Sequence, residues 1–476
     1  MWARALCLAI DGNAGLGRRF SCSTRIHAYA QNLGSSRTHL EFMSWLRRRG
    51  EDMNSIAVAI GMSKHGRALF AHRPMCAGEC MIKFSQNLVL TPEKLPCEVI
   101  ALLDQANEFT RVSLLVMAEK RKGQNSAWAP YIECLPSFGE IHSTIFWDPK
   151  ELACLECSPI HRGTGERNAL LQSEYREVKK VVESCPHLYD PDVSLEQFKH
   201  EYATVSSRAW GQGPHSDMTM IPLVDFANHD PRSRTLFSHA DDNCTVVVAS
   251  RDYQTGDEVH ICYGDHSNAV LALDYGFVVP DNPFDEAEIF LEIPSEDPLR
   301  EIKLQYMAQN NMNTLRDSNG TQTGGRPFTI MEVTSRGGKE VVVPSAARAF
   351  ARIITSDSLA DLQELNRESE VYGVVPFASR PRHDRRKEQR ATNLLLALIE
   401  AHADEHKRAI QAKSGSYCFE TRAPVHCRVC VTRRAFFAIE GLHLRDREVW
   451  KQFLRTIVSN FVQWYSLLPD HCRSSF

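Results

Sequence analysis

The 476-residue sequence has no apolar run of about 18 residues, the length that a helix needs to cross a bilayer, so it predicts no membrane span. It also lacks an excess of charge, because 55 Lys and Arg residues against 59 Asp and Glu residues leave a net charge of −4. Bulk electrostatics therefore give no support to a nucleic acid or an anionic membrane as a partner. The length and the 43% hydrophobic content predict a folded protein of two or more units.

The cysteines form no recognisable framework. Fifteen are scattered along the chain, an odd number without a secretory segment, which favours reduced thiols over disulfides. One close pair, Cys427 and Cys430 beside His426, would be half of a zinc site if Cys418 or Cys472 completed it. Because no second pair with this spacing follows, the sequence predicts no metal site.

Residues 1–40 differ in composition from the rest of the chain. Asp11 is their one acid, and their arginines are Arg4, Arg18, Arg19, Arg25 and Arg37. An arginine- and serine-rich, acid-poor leader is typical of an organelle transit peptide, and a merely disordered terminus is the other interpretation. We therefore expect a chloroplast location, with the mitochondrion as the alternative.

Two strand–turn–strand patterns lie far apart, at residues 68–84 and 245–263. Both contain the spacing Ala-x-Arg-x₄-Gly-acid, which begins at Ala71 in the first and at Ala249 in the second. Glycine followed by an acid between β-rich runs predicts a turn, because glycine adopts positive φ without steric cost. This repetition predicts one β architecture split by an insertion. The insertion, about residues 91–205, has the apolar spacing of helices, as have residues 344–355, 392–403 and 445–468.

Polar and aromatic residues follow apolar runs in the middle of the chain. Asn228 and His229 come shortly after the run 220–224, and their amide and ring atoms suit a zwitterionic ligand. Tyr263-Gly264 and Tyr275-Gly276 follow further apolar stretches, and the small glycines would let main chain approach reacting groups closely. Taken singly, the Asn-His pair also fits a turn or a helix cap, and each tyrosine also fits the core.

Together these motifs point to a known family. Residues 223–229 with 263–277 resemble the SET domain of the plant Rubisco lysine methyltransferase family. The likeness extends to residues 119–136, which resemble the family's inserted helical subdomain, and to Ser207-Arg208-Ala209-Trp210. It implies an α+β protein: a leader at 1–40, a β-rich SET fold at 41–284 with its helical insertion, and a mostly helical substrate-binding domain at 285–476.

The resemblance also implies an activity and a set of site residues. It implies a protein-lysine N-methyltransferase that uses S-adenosyl-L-methionine, with Tyr263 as the catalytic residue nearest the transferred methyl group. The residues implied to bind the cofactor are His65, Gly66, Arg67, Arg208, Asn228, His229 and Phe277. Those implied to bind the target side chain are Arg208, Asp225, Tyr263 and Tyr275. In the cofactor loop, which reads acid-Gly-x-Gly in the family, His65 replaces the acid and Ala68 the second glycine.

The substrate stays open at this level. The candidate substrates are Rubisco large subunit, fructose-bisphosphate aldolase or another organellar protein. We expect the enzyme to be a monomer that binds no nucleic acid, no membrane and no metal ion. Two alternatives remain: methylation of histidine, and a catalytically silent SET scaffold that binds other proteins. The substitutions at His65 and Ala68 favour the second alternative.

Overall fold

The computed structural model describes residues 36–103, 106–153, 155, 158–211, 218–240, 244–280, 282–310, 312, 314–315, 323–335, 338–372 and 384–414. Over these residues the chain divides into two compact units: the first runs to Asp285 and also takes the described residues from Arg408 onward, and the second runs from Glu286 to Lys407. Residues 1–35 of the predicted leader, the predicted helix 445–468 and the Cys427–Cys430 pair lie outside the described residues.

The first unit begins with α1 (Arg37–Arg48). The buried side chains of α1 are Phe42, Trp45 and Leu46, the one-sided stripe expected of an amphipathic helix. The last residues of the predicted leader, from Arg37 onward, therefore belong to a folded helix.

Short strands form the β part of the first unit. In chain order they are β1 (Val58–Ser63), β2 (Gly66–Ala71), β3 (Cys80–Ser85), β4 (Ala209–Gly211), β5 (Met218–Met220), β6 (Asn228–His229), β7 (Leu236–Ala240), β8 (Cys244–Val248) and β9 (Glu258–Ile261). The sheets have the orders β1-β2-β9-β6, β3-β8-β7 and β4-β5. In the first of them β6 and β9 run parallel, which sets Asn228 beside His260 and His229 beside Ile261.

The two strand–turn–strand patterns do not fold back on themselves as hairpins. Instead β2 pairs with β9 and β3 with β8, so each pattern contributes one strand to each of two sheets. The repeated positions bond reciprocally: the Gly78 N–H donates to the Ala249 carbonyl at 2.9 Å, and the Gly256 N–H donates to the Ala71 carbonyl at 2.8 Å. The prediction of one β architecture from two distant segments is therefore confirmed.

The chain between β3 and β4 is helical, as the apolar spacing of residues 91–205 predicts. Its helices are α2 (Cys97–Ile100), α3 (Glu108–Lys122), α4 (Ala129–Ile132), α5 (Pro149–Ala153), α6 (Pro159–Ser184) and α7 (Leu195–Ser206). Lys120 on α3 and Glu201 on α7 form an ion pair of 2.7 Å. The insertion is thus a packed helical layer that adjoins the short strands. After β9 the chain forms α8 (Asn268–Val270), and Leu271–Tyr275 continue as one π-helical turn.

The second unit opens with a sheet that the sequence pattern does not predict. Its strands are β10 (Glu286–Glu292), β11 (Gly325–Ser335) and β12 (Gly338–Val342), all antiparallel. Its helices are α9 (Arg300–Gln309), α10 (Ser345–Ile354), α11 (Leu359–Tyr372) and α12 (Arg385–Ser414). The predicted helices at 344–355 and 392–403 are confirmed as α10 and part of α12. In the described part of both units, no helix has the length and apolar character that a bilayer crossing demands.

Candidate active site

Aromatic side chains cluster where β9 ends and the π-helical turn closes. The Tyr263 ring stacks on Tyr275 with centroids 5.0 Å apart, and it meets the Trp210 ring edge-on at 5.9 Å. Phe277 packs against the same tyrosine at 6.3 Å. The Tyr263 hydroxyl donates to the Ala227 carbonyl at 2.8 Å, which fixes the phenol against the chain that leads into β6.

Asn228 and His229 lie on β6, and both are held by hydrogen bonds. The Asn228 amide donates to Glu258 Oε1 at 2.8 Å and to Ser63 Oγ at 3.4 Å. The Tyr263 main-chain N–H donates to His229 Nδ1 at 3.1 Å. A strand, rather than a turn or a helix cap, therefore positions this dipeptide, and the parallel pairing with β9 brings it beside Tyr263.

A buried ion pair adjoins the aromatic cluster. Arg208 Nη1 donates to the Asp225 carbonyl at 3.0 Å and to Asp225 Oδ2 at 3.3 Å. The Tyr131 hydroxyl donates to the same carboxylate oxygen at 3.0 Å. Asp225 lies in the 3₁₀ turn Val224–Phe226, which follows Leu223 at a φ of 75°. A leucine at positive φ is strained backbone, of the kind that persists where the surrounding packing dictates it.

The loop between β1 and β2 lies beside Asn228. Its His65 side chain is exposed, and the His65 main-chain N–H donates to Ser63 Oγ at 3.0 Å, the atom that also accepts from the Asn228 amide. Gly66 follows with a φ of 96°. Arg67 turns inward: its guanidinium lies 3.9 Å from the centroid of the Phe226 ring, and Nη1 donates to the Cys134 carbonyl at 2.6 Å.

Burial sets the protonation of the central side chains. It lowers the pKa of His229 to about 4, assisted by the charge of His266, so this imidazole is neutral at neutral pH. It raises the pKa of Tyr263 to about 12 and that of Tyr275 well above its ordinary value, so both phenols stay protonated. Burial also raises the pKa of Asp225, and the positive charges of Arg208 and Arg67 oppose that rise.

Two glycines bring main chain close to other residues of the fold. Gly276 has a φ of 76°, and a Cβ there would lie 2.4 Å from the His142 carbonyl carbon. Gly264 has a φ of 141°, and a Cβ there would lie 2.5 Å from His266 Nε2. The close approach that the structure shows at these glycines is to residue 142 and to the His266 ring, and their approach to the reacting groups stays a prediction.

Three buried polar atoms of this region have no hydrogen-bond partner within the described part of the chain. They are Arg208 Nε, Asp225 Oδ1 and His229 Nε2. Buried polar atoms are normally paired, so donors and an acceptor left over around one site fit a ligand with both an anionic and a cationic end. S-adenosylmethionine has such an amino-acid end. In the same part of the chain, no group of three or more His, Cys, Asp or Glu side chains is arranged to hold a metal ion.

Most of the sequence-predicted site residues meet here. Arg208, Asp225, Tyr263 and Tyr275 lie in one cluster with Asn228, His229 and Phe277, whereas the His65 side chain stays exposed outside it. The contributors that were not predicted as site residues include Trp210, Tyr131, Ser63 and Glu258. A buried tyrosine needs a partner for its hydroxyl, but the burial of Tyr131 becomes visible only in the structure.

The comparison with protein families identifies the domain that carries this site. Residues 66–264 match the family model described as the SET domain. This part of the chain, less than half of its length, is therefore similar to the SET domain. The matched range begins at Gly66 and ends at Gly264, so it takes in β2 with Arg67, the helical insertion and Tyr263.

Curated relatives are about a quarter identical to this chain over the residues that align. The chloroplastic [fructose-bisphosphate aldolase]-lysine N-methyltransferase of Arabidopsis thaliana is 27% identical over 284 residues, which are 57% of this chain and 58% of that protein. The chloroplastic Rubisco large subunit N-methyltransferase of Nicotiana tabacum is 25% identical over 286 residues, 57% of each chain. The actin-histidine N-methyltransferase of Mus musculus is 25% identical over 58% of this chain and 48% of its own length. The chain thus matches about half the length of these relatives.

Solved structures show that the fold extends beyond the SET domain. The structure of the SET domain of LSMT bound to lysine and AdoHcy superposes with a TM-score of 0.65 at 19% identity, covering 89% of this chain and 92% of that one. Rubisco LSMT bound to AdoMet gives a TM-score of 0.64 at 19% identity, over 88% and 92%. The predicted fold, a SET fold followed by a further helical domain, is therefore confirmed at the level of architecture.

Proposed function

We propose that this chain is an S-adenosylmethionine-dependent protein methyltransferase that acts on a lysine side chain. The observation that carries the proposal is the meeting of the Arg208–Asp225 ion pair, the Asn228–His229 strand and the Tyr263–Tyr275 ring pair at one site of a SET domain. The names of the lysine-methylating relatives from Arabidopsis and tobacco support the same activity.

In this proposal Arg208, Asn228 and His229 hold the cofactor, together with main chain of the loop at His65, Gly66 and Arg67. The unpartnered Arg208 Nε and His229 Nε2 supply hydrogen-bond donors for it. Phe277, whose ring lies 5.9 Å from the His229 ring, packs beside the same ligand. S-adenosylmethionine, when bound, supplies a methyl group already activated by its sulfonium, so the remaining task of the protein is alignment.

The aromatic cluster prepares the acceptor. A lysine with a reference pKa of about 10.4 is neutral in only about one molecule in a thousand near pH 7.4. Desolvation between the rings of Trp210, Tyr263 and Tyr275 disfavours the ammonium and raises the fraction of free amine. Because Tyr263 donates its own proton to the Ala227 carbonyl, its oxygen keeps lone pairs that accept from the amine and orient it. Neither phenol adds a negative charge that would hold the lysine protonated.

The substrate is proposed to be an organellar protein, with Rubisco large subunit and fructose-bisphosphate aldolase as the first candidates, and the enzyme a chloroplast-located monomer. The direct test incubates the purified chain with methyl-tritiated S-adenosylmethionine and a chloroplast extract, followed by peptide mapping of the labelled bands. Label in a protein of the extract, released as methyllysine on hydrolysis, supports the proposal. If cofactor binds and no protein is labelled, the silent-scaffold interpretation of His65 and Ala68 replaces it.

Histidine methylation is the second candidate, and the 25% identity to actin-histidine methyltransferases favours it. Amino-acid analysis of the labelled protein separates the two activities. Methylhistidine in place of methyllysine would overturn the lysine assignment while leaving the methyltransferase assignment intact.

A further inference from the structure

The side chain of Arg67 lies near the proposed cofactor site, although the proposed role of its loop lies in the main chain. Arg67 is the second residue of β2, and its guanidinium lies over the Phe226 ring, next in sequence to Asp225. Its Nη1 reaches across to the helical insertion and donates to the Cys134 carbonyl. The charges of Arg208 and Asp225 both act on the Arg67 guanidinium, so it lies within electrostatic range of that ion pair.

The cluster contains more positive than negative charge. Asp225 is a carboxylate whose charge acts on both Arg67 and Arg208, and the two guanidiniums repel each other. The neighbouring Tyr131 hydroxyl and Cys134 thiol do not balance the difference, because burial raises the pKa of Cys134 to about 11 and that of Tyr131 well above its ordinary value. Two arginines, always protonated in proteins, therefore face one carboxylate.

An unbalanced positive charge in a desolvated position costs free energy unless an anion neutralises it. Solvent still reaches this pair, because the Arg208 side chain is 19% exposed, although the Asp225 side chain is 0% exposed. Arg208 Nε is also buried without a partner among the described residues. Excess charge, an unused donor and a remaining opening together fit a small anionic group of a ligand.

We infer that the Arg67 and Arg208 side chains together form a subsite for the carboxylate at the amino-acid end of the cofactor. The inference rests on the proposed function, and it assigns to the Arg67 side chain a contact that the loop's main chain does not provide. Planar guanidiniums suit this task, because each presents paired N–H groups that match the two oxygens of a carboxylate. Arg67 would be a second positively charged contact to the carboxylate of the cofactor. It lies in the loop where His65 replaces the acid and Ala68 the second glycine of the family's pattern.

The experiment compares two ligands that differ only in that carboxylate. S-adenosylmethionine and its decarboxylated analogue are titrated calorimetrically into the full chain and into the Arg67→Met variant. We expect the wild-type chain to prefer the carboxylate-bearing ligand, and Arg67→Met to weaken that ligand at least about tenfold while changing the analogue less than about twofold. Arg326→Met is the matched control, because Arg326 also lies over a phenylalanine ring, 4.9 Å from Phe328 in the second unit, and it should change neither affinity.

Arg67→Lys covers the case in which Arg67→Met does not fold, since it keeps the charge and most of the length. The preference for the carboxylate-bearing ligand should fall at least about threefold in this variant, because an ammonium lacks the paired N–H groups. Equal losses for both ligands, or an unchanged preference, would assign Arg67 a purely structural role and overturn the inference alone. Failure of the wild-type chain to bind S-adenosylmethionine would instead overturn the proposed function, and the inference with it.

Discussion

The Tyr263 main-chain N–H donates to Nδ1 of His229 at 3.1 Å. Since Nδ1 accepts, the proton of the neutral imidazole lies on Nε2. That atom is buried and has no partner in the part of the chain that the structure describes. One hydrogen bond thus connects the end of β9 to β6 and leaves a single ring donor for a ligand.

The depressed pKa of His229 predicts a dependence of stability on pH. In the unfolded chain this histidine takes up a proton near pH 6.5, whereas in the folded chain it does so only near pH 4. The unfolded state therefore binds more protons between these values, and the free energy of unfolding should rise with pH across this window and level off above it. The contribution of His229 is at most about 3 kcal/mol.

Urea unfolding of the wild type and of His229→Asn, followed by circular dichroism between pH 4 and 7.5, measures this contribution. The difference between the two curves removes the titration of the other histidines. Parallel curves for the two proteins would show that His229 titrates normally in the fold.

Replacing Tyr263 by Phe should act on turnover. The substitution removes the hydroxyl proposed to orient the acceptor but keeps the ring stacked on Tyr275. We expect turnover to fall about 100-fold, with the cofactor Kd changed less than about twofold. Single-turnover methyl transfer and calorimetry measure the two quantities on the same preparation. Equal losses in both would contradict the assignment of Tyr263 as the catalytic residue.

Replacing Asp225 by Ala should destabilise the fold strongly. The variant leaves Arg208 and Arg67 without their buried counterion and removes the partner of the Tyr131 hydroxyl. Breaking a buried pair in this way costs on the order of 3–5 kcal/mol in the free energy of unfolding. The exposed Asp265 is the control, and Asp265→Ala should stay within about 0.5 kcal/mol of wild type. Similar unfolding midpoints for both variants would mean that the pair adds nothing to stability.

Two glycine substitutions separate backbone strain from steric overlap. Gly276 and Gly78 have similar φ values of 76° and 85°, but an added Cβ meets the His142 main chain only at Gly276. Gly78→Ala should therefore cost about 1 kcal/mol from strain alone. Gly276→Ala should cost a further 1–3 kcal/mol, about the penalty of overpacking. Thermal unfolding of both variants measures the difference, and equal costs would rule out the close approach to His142.

Local repetition revealed the β architecture, but pairing partners depend on contacts far apart in sequence. The Ala71 and Ala249 segments share a spacing that predicts turns, and nothing local shows that they bond to each other rather than fold as hairpins. Met75 and Tyr253, at corresponding positions of the two segments, form an isolated bridge between them. Such a pairing is fixed only when the whole chain has collapsed.

The strand β11 was not predicted because its sequence contains residues that are uncommon in strands. It begins with Gly325 and contains Pro327, two residues that are depleted in strands. Pro327 lies opposite Phe290 in the register with β10, so the sheet tolerates it. Packing in the second unit thus overrides a weak local preference.

The sequence predicted those residues of the candidate site that lie in short motifs, and it did not predict those that distant segments bring to the site. Asn228, His229 and Tyr263 follow apolar runs that end at one sheet. Ser63 and Tyr131, by contrast, come from the end of β1 and from the helical insertion and reach the site only through the fold. Their hydroxyls have no sequence neighbour that signals a role.

The most direct test of the account is a calorimetric titration of S-adenosylmethionine into the full chain, with Arg208→Met as the comparison. The account predicts one site per chain with a Kd in the range of about 1 μM to 1 mM, typical of enzymes and their substrates. It also predicts that Arg208→Met weakens binding at least about tenfold. Absence of binding to the wild-type chain at millimolar S-adenosylmethionine would contradict it.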